Sequence, residues 1–469
     1  MPFAINVWKL MENTGAFSAN SKNQVVLDAI MMTMKIVVSG CTEENQSLIV
    51  QKGYSVLLST LSLISAKQRA AFPAFNLEGF GFVPNLVSLA CKDEWLISLF
   101  SSVLIALRPQ TIIPDVKLIL KLLMLLLLQG HVPATQALAS AVNKWPENNN
   151  ETQGSNVCSF EEAIDLIFEM DLSGLLYSCP FKKLRDLISS EEICSLFCSN
   201  DRNPFIIHAL EGLAWIGKGL LMRGHEKVKE IVMLFMKCLL LNQDEIITTL
   251  QDGSADQFSF LTGLAADAFR VLLCDSDVCL DKKFHATIKP LHKQRFFSSI
   301  LVVLLSSIKG SGSWRTRAVL YRAFGHVISN TPLAAVIVQA NQILPPLLDA
   351  LSVLSSDVMD KDLIYSLLMA LSGILMDDNG KEAVLNNVHS IIGRLIGLIS
   401  YPHMMIVRET AIQCLVAMSG LPHARIYPMR SQVLRAVSNA LDDHRRAVRL
   451  EAVRCRQAWA SIASRSLHF

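Results

Sequence analysis

Apolar residues recur along most of this chain at helical spacing. Val26, Ile30, Met34 and Val37 fall at i, i+4, i+8 and i+11. Leu96, Leu99, Phe100, Val103 and Leu107 follow the same rule, as do Ile206, Leu210, Leu213 and Leu220. Ile364, Leu367, Leu368, Leu371 and Leu375 come next, then Val388, Ile391, Ile392, Leu395 and Ile399. This spacing puts an apolar stripe on one helix face. No series of alternating strands with Asn-Gly or Asp-Gly hairpins interrupts it. Capping boxes begin at Ser159 (with Glu162) and Ser189 (with Glu192). Breaks fall at 251–254, 309–312 and 377–380. The Asn-rich stretch 143–158 reads as a linker or extended loop. It separates a helical repeat block at 1–142 from a repeat array at 159–469.

The repeat is clearest at the C-terminal end. Val407-Arg408-Glu409-Thr410-Ala411 and Val448-Arg449-Leu450-Glu451-Ala452 share the pattern Val-Arg-x-x-Ala, 41 residues apart. Ile364-Tyr365 takes the same place one unit earlier, and Trp314-Arg315-Thr316-Arg317-Ala318 one before that. A period of about 40–47 residues with two helices each marks HEAT or armadillo repeats. The expected fold class is therefore all-α, a HEAT/armadillo-type α-solenoid of about ten or eleven units. Asp443 precedes Val448 and Arg449 as in the HEAT signature, where Asp caps a helix and Arg reaches an acidic neighbour along the stack. Position 402 in the preceding unit is Pro.

Composition narrows the class. Hydrophobic residues make up 51% of the 469 and charged residues 18%, which excludes a disordered chain. The net charge of +2 excludes the overall basicity of a protein that coats nucleic acid. The mean hydropathy of +0.37 raises the question of a membrane span. The greasiest stretch, 116–128, is interrupted by Lys117 and Lys121, so it reads as a buried helix. The start of the chain lacks a basic region followed by an apolar one, so no signal peptide is expected and the 11 cysteines are expected as reduced thiols.

Three groupings invite chemistry. The run 212–219 nearly spells a phosphate-binding loop, but Gly219 stands where Ser or Thr would hold magnesium, and no strand precedes it. Here the plainer reading is a glycine-tolerant helix end with Trp215 in the core. Cys274, Cys279, His285 and His292 are zinc-ligand types at spacings unlike the usual finger, and otherwise read as loop residues around a buried thiol. Cys194 and Cys198 lie one helical turn apart, yet clusters commonly need four thiolates, and buried apolar thiols are the plainer reading. No catalytic motif is visible. No enzyme activity, metal or cofactor is expected.

The C-terminal residues carry a resemblance. The run 441–453, ending in Gln457-Ala458-Trp459, is similar to the last HEAT repeat of the methyl-methanesulfonate-sensitivity, nucleotide-excision-repair family. Further likeness lies at Val407-Arg408, 411–414, Leu421-Pro422, Tyr427-Pro428, 432–436, 293–297 and 215–220. The resemblance runs from about 205 to 469. It implies the C-terminal part of a protein more than twice as long, the large adaptor of the cytosolic iron–sulfur assembly (CIA) targeting complex. Implied partners are a WD-repeat propeller, a small α/β subunit, and iron–sulfur apoproteins such as DNA helicases and polymerases. Implied locations are the nucleus and the cytoplasm. Neither direct nucleic-acid contact nor membrane contact is expected. Self-association is expected of this chain alone, through the apolar Val25, Val26, Ile30, Met31 and Met32. The alternatives are another HEAT scaffold, such as a nuclear transport receptor, or a metal- or cluster-binding protein.

The last 45 residues form a charge anomaly. Nine arginines and no lysine stand against Asp442, Asp443 and Glu451, leaving about +6 by formal count. Arginine favours bidentate recognition of carboxylate or phosphate. A solubilising terminal cap explains the same charge. On a terminal helix over roughly 445–463, Val448, Ala452, Cys455 and Trp459 form a buried stripe. Arg445, Arg449 and Arg456 form a ridge beside it, with Arg446 and Arg454 as further docking candidates.

Overall fold

The computed structural model describes residues 1–13, 21–71, 91–146, 158–172, 176, 179–189, 204–241, 254–275 and 278–462. Among these residues every regular element is helical. The first eleven helices are α1 (Pro2–Asn13), α2 (Ser21–Ser39), α3 (Glu43–Ala71), α4 (Cys91–Ala106), α5 (Val116–Leu128), α6 (Val132–Lys144), α7 (Phe160–Glu169), α8 (Leu184–Ser189), α9 (Pro204–Arg223), α10 (Val228–Leu239) and α11 (Ser254–Leu273). The rest are α12 (Pro290–Gly310), α13 (Trp314–Ser329), α14 (Leu333–Val338), α15 (Ala340–Leu354), α16 (Lys361–Met376), α17 (Lys381–Asn386), α18 (Val388–Ile399), α19 (Met405–Met418), α20 (His423–Ile426), α21 (Arg430–Ala440) and α22 (Arg446–Ala460). The chain divides into two compact units. The first holds Met1–Cys238, Asp256–Leu264 and Cys274–His292. The second holds Leu239–Ala255, Ala265–Leu273 and Lys293–Phe469.

In the first unit α2, α4, α6 and α9 pack in succession. The expected stripes on α4 and α9 are buried as predicted. That on α2 is rotated. Leu27, Met31, Met34 and Val38 are buried, while Val26 lies 49% exposed. The helix is apolar on several sides, so its sequence leaves more than one packable face, and docking against α4 selects one. The expected linker at 143–158 begins inside α6, where Asn143 and Lys144 are buried. Residues 147–157 lie outside those described. Ser159 caps α7 with the full reciprocal box to Glu162, as predicted, whereas the box at Ser189 falls on residues outside those described.

Helix α9 has the length and apolarity of a membrane span, but 67% of that window is buried within the protein. Its glycines serve close packing. A Cβ on Gly219 would meet the Ala139 carbonyl oxygen of α6 at 2.5 Å, and one on Gly212 would meet Leu127 of α5 at 2.4 Å. The run 212–219 is thus mid-helix, not a phosphate loop or a helix end, and Trp215 is only half-buried.

Either side of residues 276–277, which lie outside those described, Cys274–Asp275 and residues 278–289 of the first unit are irregular, with one short turn, Lys282–Phe284. Buried side chains pin them. Lys35 donates to the Val278 carbonyl (2.9 Å), Lys144 to that of Phe284 (3.0 Å), and Lys218 to that of Cys274. Asn143 donates to the Thr287 carbonyl and accepts its N–H, at 2.9 and 2.8 Å. Lys144 also donates to the Ile105 and Leu107 carbonyls. Burial pulls this amine down to about 7. Backbone groups without a helical partner need such donors when water is excluded.

The second unit shows the repeat. Three times a short helix, a longer helix and a third helix follow one another: α14–α15–α16, α17–α18–α19 and α20–α21–α22. The repeats are therefore three-helix units of armadillo kind, not the expected helix pairs. Third helices pack on third helices, α13 on α16, α16 on α19 and α19 on α22. Second helices form the other layer, α15 on α18 and α18 on α21. Each layer buries the apolar stripe of its neighbour, which no single unit could bury alone.

Candidate functional site

The arginine-rich end of the second unit is the candidate site. Helix α22 starts one residue later than expected and buries Val448, Ala452, Cys455 and Trp459 completely, as predicted. The Trp459 indole donates to the Leu415 carbonyl of α19 at 2.8 Å. Arg430 at the start of α21 donates to the carbonyls of Trp459 and Ala460 (3.0 and 2.9 Å), closing the last turn of α22. Free carbonyls at a helix C-terminus favour such a cation.

The five predicted docking arginines separate into two kinds. Arg445 and Arg446 stand exposed at the start of α22, and Arg456 is exposed further along. Arg445 is the residue before the helix, and its backbone N–H donates to Asp443 Oδ1 at 2.8 Å. Arg449 is half-buried and donates to the Asp443 carbonyl oxygen at 2.6 Å, so it belongs to the scaffold rather than to an outward ridge. Arg454 pairs with Glu451 at 2.8 Å. That ion pair brings a carboxylate beside the buried stripe, where Glu451 is only 7% exposed. Burial and then the Glu451 charge push the Cys455 thiol up to about 12, so it stays protonated.

Asp443 is the hub. Arg408 of α19 grips both of its carboxylate oxygens, at 2.8 and 3.1 Å. Burial alone would raise Asp443, but the hydrogen bonds from Arg408 and from the Arg445 N–H outweigh it and hold the carboxyl below its ordinary range. Two repeats earlier Arg322 of α13 grips Asp267 with two bonds of 3.0 Å and reaches Asp360 at 3.4 Å. His326 adds a contact to Asp267 at 3.0 Å. Arginine on a third helix thus meets the Asp that precedes the next third helix. In the repeat between them Tyr365 and Pro402 stand at the places of Arg408 and Asp443, whereas Arg322 lies seven residues past Arg315, which takes the Arg408 place on α13.

The other groupings do different work. His285 Nε2 lies 3.0 Å from the Ser39 carbonyl, Cys279 is fully buried, and Cys274 receives Lys218. Among the described residues no three His, Cys, Asp or Glu side chains could hold a metal ion. Cys194 and Cys198 lie outside the described residues. A second charge anomaly escaped the reading of the sequence. From Lys282 to Leu348 there are nine Lys and Arg and no Asp or Glu. The signal was a run of missing acids, which a net-charge count hides.

A family model described as RNAPII transcription regulator C-terminal matches residues 6–419. The chain belongs to the MMS19 family. An Arabidopsis thaliana relative, the MMS19 nucleotide excision repair protein homolog, is 43% identical over 99% of this chain and 40% of its own length. The Xenopus laevis homolog is 29% identical over 62% of this chain and 26% of its own. This chain therefore spans well under half the length of the relatives it matches. Among solved structures, a designed armadillo repeat protein covers 59% of this chain at 15% identity with a TM-score of 0.33. This MMS19-family chain is built of stacked helical repeats, and its arginines divide between internal ion pairs and exposed surface.

Proposed function

We propose that this chain is a non-catalytic adaptor of cytosolic iron–sulfur assembly, recruiting apoproteins of DNA repair, replication and transcription for cluster insertion. Membership of the MMS19 family over most of the chain carries this reading. The relatives are named for nucleotide excision repair, which fits a role in supplying repair enzymes. In this reading the end of α22 docks the assembly subunits, a WD-repeat propeller and a small α/β protein. Arg445, Arg446 and Arg456 supply outward charge for acidic side chains, while the ladder keeps α19 and α22 in register. The chain works in the nucleus and the cytoplasm, needs no cofactor of its own, and touches neither nucleic acid nor membrane. Affinity purification of the tagged chain with mass spectrometry tests it. Iron–sulfur assembly subunits and apoproteins are expected. Recovery of a Ran-type GTPase and its cargo instead would make the chain a transport scaffold.

A further inference from the structure

Lys218, near the C-terminal end of α9, is 1% exposed. Its amine reaches Cys274, the residue that follows α11, in two ways. It donates to the Cys274 carbonyl oxygen, and it lies 3.3 Å from Cys274 Sγ. The Trp215 ring centre lies 5.5 Å from the same amine. A buried ammonium is costly unless an opposite charge or polar partners surround it. Here the partners are one carbonyl, one sulfur and one ring face, with no carboxylate among the described residues. The other two buried lysines of this region are committed to backbone, Lys35 to the Val278 carbonyl and Lys144 to three carbonyls. Cys274 is half-buried and so open to a small solute, whereas Cys238 and Cys279 are fully buried. Both Lys218 and Cys274 belong to the first unit.

We infer that Lys218 and Cys274 are a covalent modification site, joined under hydrogen peroxide by a sulfenamide bond between Nζ and Sγ. In the first step the sulfur attacks one peroxide oxygen, the O–O bond breaks, and the other oxygen leaves as water with the thiol proton. Cys274 is then a sulfenic acid: its sulfur has lost two electrons and the peroxide has gained them. In the second step the Nζ lone pair of the neutral amine attacks that sulfur. The S–O bond breaks, and the hydroxyl leaves as water with one amine proton. One amine, one thiol and one peroxide give one sulfenamide and two waters. Sulfenic acids condense in this way with a nitrogen held beside them. Atoms about 3–3.5 Å apart and oriented are within attack range, so the buried amine competes well with a second peroxide. The bond turns a hydrogen-bonded anchor of Cys274 on α9 into a covalent one. Thiols reverse it: one attacks the sulfur and frees the amine, and a second frees Cys274. The site stands whether or not the adaptor reading does.

The test treats the full chain with hydrogen peroxide, blocks the remaining thiols, digests the protein and reads peptide masses. The expected product joins the peptides that hold Lys218 and Cys274, lighter than their sum by two hydrogen atoms, about 2 Da, and separated again by dithiothreitol. Cys274→Ser should abolish the link. Lys218→Arg should lower it about tenfold or more, because a guanidinium is a poor nucleophile in that place. Cys279→Ala should leave it intact. Dimedone added with the peroxide should trap the Cys274 sulfenic acid in the unaltered chain and prevent the link, which tests the order of the steps without any substitution. Conversion of Cys274 to sulfinic or sulfonic acid with Lys218 unlinked overturns the inference. So does a Cys274–Cys279 disulfide in place of the link, or a link that survives Cys274→Ser.

Discussion

Arg408 holds Asp443 across a repeat boundary, with two guanidinium N–H groups on two carboxylate oxygens at 2.8 and 3.1 Å. Both side chains are nearly out of solvent, 13% and 12% exposed. The bond joins α19 to the loop before α22, and Arg408 also donates to the Tyr401 carbonyl at 3.0 Å. Removing either partner strands the other in a dry place. Arg408→Ala and Asp443→Ala should each cost about 2–4 kcal/mol. The double variant should cost much less than the sum. Denaturant melts of the four proteins in a cycle would measure this, and strict additivity would remove the coupling. The same carboxyl is held low by its bonds, so its contribution is present above the ordinary carboxylate pKa and lost as pH falls through the lower folded value.

His131 makes the first unit acid-sensitive. Its Nδ1 accepts the Ala134 N–H at 3.1 Å, capping α6, and its Nε2 lies 3.3 Å from the Ser98 hydroxyl. Burial pulls the ring from 6.5 down to about 4, so the native state keeps it neutral where the unfolded chain takes a proton. Stability should therefore fall as pH drops from about 6.5 to about 4, by roughly 2–3 kcal/mol for this group. His131→Asn keeps an acceptor at the cap and cannot titrate. Thermal melts across this pH range should show a flatter slope for the variant, and parallel slopes would discard the assignment.

Two glycines should respond to alanine in opposite directions. Gly219→Ala sets a methyl 2.5 Å from a backbone oxygen of α6, which cannot rotate away. Separating α9 from α6 should cost about 1–3 kcal/mol. Gly393 on α18 has nothing within 4 Å of its added Cβ. Gly393→Ala should gain roughly 0.5–1 kcal/mol through helix propensity alone. Melting temperatures of the two single variants decide both.

The arginines of α22 should split by role. Arg446→Glu with Arg456→Glu leaves the Val448, Ala452 and Trp459 face untouched, so folding should be unchanged while capture of assembly subunits weakens at low salt. Arg449→Glu instead removes the donor to the Asp443 carbonyl and adds a like charge beside its carboxylate. It should lower stability by about 1–3 kcal/mol. Pull-down and melting measurements on both variants separate surface from scaffold, and a stable Arg449→Glu protein would return that residue to the ridge.

What the sequence determined by itself is the helical fold and its repeat. Spacing of apolar side chains is local, and it placed the stripes of α4, α9, α16, α18 and α22 correctly. The Val-Arg-x-x-Ala recurrence located α19 and α22, and Asp443 beside Arg449 announced a ladder. Tertiary structure decided the rest. On α2, with apolar residues all round, only docking chose Leu27, Met31 and Val38 over Val26. Glycines at 212 and 219 looked like a ligand loop because a sequence does not show that Leu127 and Ala139 press against them. The partner of Asp443 proved to be Arg408, 35 residues away, as well as Arg449 at six. Which arginine faces solvent depends on which carbonyls and carboxylates lie within one side-chain length, and that distance exists only once the repeats have stacked.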